Sequence, residues 1–318
     1  MKHSFEDEIN NIIMDAFHES VISIRECGNH DLNRNYVFQV MTEQNRNLII
    51  KFYYKANKRL REANALKHIE HSALRIERMG ETFDGTEWSL YNYIKGEMLE
   101  TLIPIFTDDD SKKIFFEIGW DMGMLHSSKQ FDYFGDWLKE KQSPVEQYQS
   151  FIIKDTERII NNLRFLPEED QSILAYAIKA VREEYEHIRV LKVGRLCHRD
   201  YDGRNIIIDQ NSEGEYHLNG ILDFEKCVVF NEHYDIVGLY RKYFLYKPEL
   251  IKPFFDGYTQ KMSIDSSFET EFRFNLFRMG LDLCSWSKRV SESFYDEVFQ
   301  YLKYLIEIDG NFEKFLYE

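Results

Sequence analysis

Proline and glycine are scarce in this sequence, and long apolar runs are missing. Five prolines and fifteen glycines among 318 residues, with no repeat and no low-complexity tract, argue against long disordered linkers. No apolar run approaches the roughly 20 residues that a membrane-spanning helix needs, so no membrane association is expected. With 43% hydrophobic and 30% charged residues, the chain can form one large domain or two lobes with a real core.

Positive charge is also in deficit. The 55 acidic residues exceed the 40 basic ones, which gives a formal net charge of −15. Such a surface repels phosphate backbones, so nucleic acid is not expected as a partner, whereas cationic small molecules are favoured. The alternative is a solvated acidic surface without specific meaning.

The cysteines form no metal-binding or disulfide pattern. The four, with no CxxC pair, indicate free thiols in a reducing compartment. The first eight residues are too acidic for a signal peptide, so we expect a soluble cytoplasmic protein. The spacings Cys27-x2-His30 and His68-x2-His71 could be drawn as a zinc site, but no surrounding chemistry supports them.

Hydrophobic periodicity divides the chain into a β-rich first third and a mainly helical remainder. A first helix should begin near Ser4, and another should cover residues 58–70. Strands are predicted at residues 21–24, 36–40, 48–54, 74–77 and 88–93. Later helices are predicted at 111–127, 144–164, 168–190, 234–246, 267–288 and 293–308, interrupted by one strand pair at 205–209 and 216–222. Residues 80–85 imitate the start of a P-loop, but Thr86-Glu87 replaces its Lys-Ser/Thr, and a hairpin turn at Asp84-Gly85 is the simpler prediction.

The stretch from His198 to Asn205 carries the clearest chemical pattern. Asp200 and Asn205, five positions apart beside strand sequence, can present a proton acceptor and a neutral metal ligand from one loop. Asp223, after the next strand, adds a charged oxygen, and Glu225 is a candidate metal-site residue that either supports the ligands or binds a second metal. Magnesium prefers such hard oxygens and keeps several waters. We expect His198 to brace the loop by hydrogen bonds.

Lys51 is the second element of the pattern. A lysine within Leu48–Phe52 would be costly to bury without a partner. If it points into a cleft it can hold nucleotide phosphates, with Glu62 on the following helix fixing its rotamer. Lys51 could instead be the outward residue of an edge strand, but the downstream pattern favours the functional interpretation.

Together these motifs resemble the aminoglycoside phosphotransferase and choline kinase superfamily, which has the protein-kinase-like fold. Lys51 and Glu62 match its strand lysine and helix partner, and residues 92–96 resemble its hinge. His198, Asp200, Asn205 and Asp223 match its catalytic and metal positions. Asp235 matches the aspartate that buttresses the catalytic loop, and residues 118–126 match the helix ending in Leu-His.

The resemblance implies a bilobal α+β fold, with an antiparallel-sheet lobe at residues 1–96 and a larger helical lobe at 97–318. It implies ATP or GTP with Mg²⁺ as cofactors, and backbone groups of Asn92 and Ile94 facing the adenine. Residues 28–35 lack the glycine-rich loop of protein kinases, and no APE motif follows Asp223, which argues against a protein substrate. Asp-Phe-Glu replaces Asp-Phe-Gly, which leaves the subfamily open.

The sequence therefore predicts a small-molecule kinase, acting as a monomer or homodimer. The acceptor is expected to be small and cationic, first an aminoglycoside antibiotic and second choline, another amino alcohol or another metabolite. Candidate acceptor contacts are Asp202, Glu232 and Asp282. The rival hypotheses are a non-catalytic nucleotide-binding protein on the same fold and, less favoured, a protein kinase.

Overall fold

A computed structural model of the chain describes residues 5–27, 35–135 and 147–316. Ser4, His30, residues 28–34 of the polar loop and the start of the helix predicted at 144–164 lie outside this part. The described residues contain no helix that is both long and apolar enough to cross a membrane.

The first third forms a five-stranded antiparallel sheet in the order β1-β2-β3-β5-β4. Alternating side chains of the central strands and of the first helix meet in a small core that includes Ile9, Ile13, Val40 and Ile50. The elements are α1 (Phe5–Phe17), β1 (Val21–Cys27), β2 (Tyr36–Thr42), β3 (Asn47–Phe52), α2 (Lys58–Leu66), β4 (Ile76–Glu81) and β5 (Glu87–Asn92).

The remainder is mainly helical and holds the larger core. Thr107 begins its longest early helix with a capping box to Asp110, which satisfies two otherwise unpaired amide groups. The helices are α3 (Leu99–Leu102), α4 (Asp108–Ser127), α5 (Tyr148–Asn162), α6 (Gln171–Glu183), α7 (His233–Leu239), α8 (Ile251–Tyr258), α9 (Ser267–Ser287) and α10 (Glu292–Ile308).

Two small antiparallel sheets hold the segments that carry the chemical pattern. One has the order β10-β9-β6 and the other β11-β8-β7. Their strands are β6 (Glu97–Met98), β7 (Gln130–Phe131), β8 (Gly194–Cys197), β9 (Ile206–Gln210), β10 (Tyr216–Ile221) and β11 (Val228–Phe230). The loop 198–205 therefore leaves β8 and enters β9, and the segment 222–227 leaves β10 and enters β11, so each is fixed at both ends.

Most predicted elements are present, with several corrections. The antiparallel sheet, the helical remainder and the hairpin turn at Asp84-Gly85 are confirmed, and Gly85 has the positive φ of 84° that such turns favour. The prediction of only one strand pair in the helical part was wrong, because β6, β7, β8 and β11 also pair there. Helix α8 was not predicted, and the strand expected at 74–77 lies at Ile76–Glu81. The boundary at residue 96 stays a prediction.

Candidate active site

Asp235, at the start of α7, holds the backbone of the loop 198–205 in place. Its two carboxylate oxygens accept hydrogen bonds from the backbone amides of His198 at 2.6 Å and Arg199 at 2.7 Å. The ring of buried His126 adds a contact at 3.2 Å. Burial alone would raise the pKa of Asp235, but these bonds lower it, so the carboxylate stays charged. The loop backbone is thereby fixed although Arg199 has a positive φ of 63°.

Asp200 pairs with a lysine that the sequence interpretation missed. Its Oδ2 lies 2.8 Å from the Lys226 ammonium, which comes from the segment after β10. Burial would raise the pKa of Asp200, but Lys226, helped by His198 and Arg204, lowers it to about 2. Asp200 is therefore ionised throughout the neutral range. The signal that could have revealed Lys226 is its place three residues after Asp223.

His198 braces the loop from within. Its Nδ1 accepts a hydrogen bond from the Asp200 amide at 3.2 Å, and its Nε2 donates to the carbonyl of Leu222 at 2.9 Å. The imidazole thus ties the position of Asp200 to the residue before Asp223. These contacts favour a role of His198 in bracing the loop over direct participation in chemistry. The bracing role stays a prediction.

Asn205 closes the other end of the loop. Its side-chain nitrogen donates to the carbonyl of Asp200 at 2.9 Å, and its own carbonyl accepts from the Leu222 amide at 2.7 Å. Because the amide nitrogen is used in this way, the amide oxygen is the atom that can coordinate a metal.

Lys51 lies in β3 and is buried, with 7% of the residue exposed. Its ammonium contacts three carboxylates: Asp223 at 2.6 Å, Glu62 at 3.1 Å and Glu225 at 3.1 Å. Burial would lower the pKa of Lys51, but these carboxylates raise it well above its ordinary value. The lysine is therefore inward-facing and charged, not the outward residue of an edge strand.

Glu62 joins the lysine to the segment around Asp223. Besides Lys51, its carboxylate accepts from the Tyr53 hydroxyl at 2.8 Å and from the backbone amide of Phe224 at 3.0 Å. With 1% exposure, this side chain has its position fixed by three donors. The helix α2, the strand β3 and the segment around Asp223 are thus positioned by a single carboxylate.

The Asp223 carboxylate is surrounded by more negative than positive charge. Burial raises its pKa, Lys51 opposes this, and the nearby carboxylates of Glu225, Glu62 and Asp200 raise it further. A cluster with an excess of hard, anionic oxygens fits a divalent cation such as Mg²⁺. Asp223 and Asn205 are the residues whose oxygens would hold it.

Glu225 faces lysines in this arrangement. Its carboxylate lies 3.1 Å from Lys51 and 3.5 Å from Lys58, and it accepts a hydrogen bond from the Asn35 side chain at 2.5 Å. Burial would raise the pKa of Glu225, but Lys51 and Lys58 lower it to about 2. These contacts favour orienting Lys51 over binding metal directly, and the metal role stays a prediction.

The predicted hinge follows β5. The Asn92 side chain donates to the carbonyl of Ala73 at 2.9 Å and accepts from the Arg75 amide at 2.7 Å, so it ties the hinge to the segment before β4. Ile94 packs against Gly220 of β10, where a Cβ would come within 2.8 Å of the isoleucine side chain. The proposed adenine contacts of both backbones stay predictions.

The three candidate acceptor contacts all have cationic partners in this structure. Asp202 lies 3.0 Å from Arg204, Glu232 lies 2.9 Å from Arg189, and Asp282 lies 3.7 Å from Arg199. These pairs indicate that each carboxylate has a structural role, and an acceptor role stays a prediction.

Comparison with known proteins places the chain in a family. The model of the phosphotransferase enzyme family, APH, matches residues 28–266. No curated protein sequence gives a significant match.

Solved structures share the fold. One is a thermostable mutant of aminoglycoside phosphotransferase APH(4)-Ia in a ternary complex with AMP-PNP and hygromycin B, with 11% identity and a TM-score of 0.75 over 96% of this chain and 99% of that one. Another is the GDP complex of wild-type aminoglycoside 2'-phosphotransferase-IIIa, with 17% identity and a TM-score of 0.69 over 95% and 98%. A third is the GDP and kanamycin complex of APH(2")-IIIa, with 17% identity and a TM-score of 0.66 over 95% and 99%. The predicted kinase-like fold and superfamily are confirmed, and the chain belongs to the phosphotransferase enzyme family.

Proposed function

We propose that this protein is a small-molecule kinase that transfers the γ-phosphoryl group of ATP or GTP to a hydroxyl of a small cationic acceptor. The observation that carries the proposal is the ion cluster joining Lys51, Asp223 and Glu225, beside Asp200 with Lys226 and Asn205. Degenerate kinase-like proteins usually lose one of these groups, whereas this chain has the full set.

Within the proposed reaction, Lys51 binds the α- and β-phosphates and Glu62 fixes its rotamer. Asn205 and Asp223 hold Mg²⁺, with Glu225 as a further candidate ligand, and the ion supplies charge neutralisation at the phosphates when bound. The backbones at Asn92 and Ile94 face the base.

Asp200 orients the acceptor hydroxyl and receives its proton. A carboxylate whose pKa is about 2 is a weak base, so the proton moves late, after the bond from oxygen to phosphorus has largely formed. Lys226 keeps Asp200 ionised and places positive charge beside the reacting groups.

An aminoglycoside is the first choice of acceptor, which would make the protein an antibiotic-resistance enzyme. The supporting observations are the net charge of −15 and the fold shared with a kinase bound to hygromycin B and another bound to kanamycin. The AMP-PNP and GDP in those complexes leave both ATP and GTP as candidates for this chain. Asp202, Glu232 and Asp282 remain candidate acceptor contacts. Four free thiols are in keeping with a cytoplasmic protein, acting as a monomer or homodimer.

The direct test is acceptor-dependent release of ADP or GDP from purified protein with Mg²⁺. The panel contains aminoglycosides, choline and other amino alcohols, and Asp200→Asn is the matched variant because it keeps the shape and removes the charge. We expect turnover with at least one amine-bearing acceptor and a loss of at least a thousandfold in the variant. Full turnover by the variant would refute the role of Asp200. If calorimetry shows nucleotide binding while the whole panel stays silent, the non-catalytic alternative is favoured.

A further inference from the structure

A cavity of about 500 Å³, partly open to solvent, lies behind the catalytic loop. Its walls come from residues 69–73 after α2, from α4, and from residues 218–221 of β10, and its floor is formed by Tyr201 and Phe224. Of the residues that the structure describes, neither the phosphate-binding candidates nor Asp200 line it. The volume is within the range of small-molecule sites.

The wall is largely aromatic and aliphatic. Phe116, Trp120, Tyr201 and Phe224 contribute rings, and Ile69 and Leu125 contribute aliphatic surface. A ligand with a compact apolar body would therefore bury much of its surface against these side chains.

One side of this cavity is anionic. Glu117 and Asp121 lie one turn apart on α4, and no lysine or arginine is among the described residues that line the cavity. Glu117 is already used, since it accepts a hydrogen bond from the Leu218 amide at 2.6 Å. At the edge, the Lys261 ammonium lies 5.1 Å from the centre of the Trp120 ring, so this ring already attracts a cation of the protein itself.

Asp121 is the carboxylate that a ligand could neutralise. Its Oδ2 accepts a hydrogen bond from the Tyr201 hydroxyl at 2.6 Å, while its Oδ1 is 3.5 Å from Nε2 of His71, which is too long for a strong hydrogen bond. Burial raises the pKa of Asp121, and His71 and Tyr201 only partly oppose this. Because 18% of the side chain is exposed, a ligand can reach it.

We propose that this rear cavity binds a small organic ammonium ion, a primary amine with an aromatic or branched apolar body. The ammonium pairs with Asp121, and the body packs against Phe116 and Trp120. Such a ligand is not the phosphoryl acceptor of the proposed reaction, because it lies behind the segment that presents Asp200.

An occupant would touch both catalytic segments from the rear. Tyr201 directly follows Asp200, and Phe224 directly follows Asp223. Both rings pack on His198, with centroid distances of 5.6 Å and 4.6 Å. Binding should therefore stabilise the described arrangement of the two segments and raise the melting temperature.

The test is calorimetry and thermal unfolding of the full chain without nucleotide, with benzylamine and its neutral counterpart benzyl alcohol as probes. We expect benzylamine to bind and raise the melting temperature, and benzyl alcohol to bind at least tenfold more weakly. Asp121→Asn should weaken the binding of benzylamine at least tenfold, since an amide can still accept a hydrogen bond from Tyr201 but carries no charge. Ala73→Phe should weaken the binding of both probes, because the larger side chain fills the cavity.

Two controls separate this site from the acceptor site. Asp256→Asn, on the exposed face of α8, and Asp200→Asn should both bind benzylamine as the unmodified protein does. The proposal is overturned if Asp121→Asn binds benzylamine normally, if the alcohol binds as well as the amine, or if Asp200→Asn abolishes binding. If Ala73→Phe fails to fold, two measurements still test the proposal. These are benzylamine binding by Asp121→Asn and benzyl alcohol binding by the unmodified protein. Because nucleotide is absent, failure here leaves the proposed kinase activity untouched.

Discussion

Replacing Lys226 by methionine tests the electrostatics of the proposed base. The substitution keeps the length of the side chain and removes the ammonium that lies 2.8 Å from Asp200. Burial then acts on Asp200 with less opposition, so its pKa should rise from about 2. At neutral pH the carboxylate stays ionised, but it is now destabilised by its surroundings.

The size of the effect follows from the pKa shift. A lowering of the pKa from the ordinary 3.8 to about 2 corresponds to about 2–3 kcal/mol. Lys226 and Asp200 keep 30% and 21% of their side chains exposed, so solvent screening reduces this to about 1–2 kcal/mol. Because the pKa is depressed in the folded state, this stabilisation is present above the unfolded value near 4 and is lost as the pH falls towards 2.

Two assays measure the change. In urea unfolding, Lys226→Met should lose about 1–2 kcal/mol at pH 7, and its difference from the unmodified protein should shrink as the pH is lowered through 4. In the acceptor assay, the pH profile of kcat/KM should gain an acid limb that the unmodified protein does not show above pH 4. Lys226→Arg, which keeps the charge, is the control. The reasoning fails if the methionine variant matches the unmodified protein in both assays, or if the arginine variant loses as much.

Three further substitutions test how the site is positioned. Gly119→Ala should destabilise the protein by about 3 kcal/mol in urea unfolding, because its Cβ would lie 2.0 Å from a backbone oxygen of α8. Gly238→Ala, within α7 and with nothing within 4 Å, should not destabilise it. Glu62→Gln should raise the KM for nucleotide about tenfold in steady-state kinetics, since the bond to the Phe224 amide can persist while the charge on Lys51's partner is lost. Asn92→Ala should lower the unfolding free energy by about 1–2 kcal/mol, as two backbone groups lose a partner; an unchanged urea midpoint would contradict this.

The features that the sequence predicted are those encoded over short distances. Helical and strand periodicities in the first third span four or more residues each, and they predicted the antiparallel sheet. The spacing of Asp200 and Asn205 could be read because one short loop carries both. Lys51 was predicted to face a cleft because of the motif downstream at Asp200, Asn205 and Asp223, and the structure gives it three carboxylate partners.

The features that escaped prediction depend on long-range pairing. β8 and β11 contain four and three residues, too few to show a period, and they are strands because they pair with each other. Lys226 and Glu225 are both charged residues that follow closely after Asp223, and the sequence does not show which partner each side chain contacts. Only the fold turns Lys226 towards Asp200 and Glu225 towards Lys51.

The charges of the site explain why a divalent cation belongs to the proposed reaction. Lys51 and Lys58 form a network of ion pairs with the carboxylates of Glu62, Asp223 and Glu225, and a separate ion pair joins Lys226 to Asp200. A nucleotide polyphosphate is itself an anion, so its binding at Lys51 would draw the ammonium group away from carboxylates. Asp223 already lacks positive charge while Lys51 lies 2.6 Å away, as its raised pKa indicates. If Lys51 turns from Asp223 towards the phosphates, another cation must replace it at the oxygens of Asp223. In this interpretation the proposed magnesium requirement follows from the charge balance of the cluster, independently of any motif.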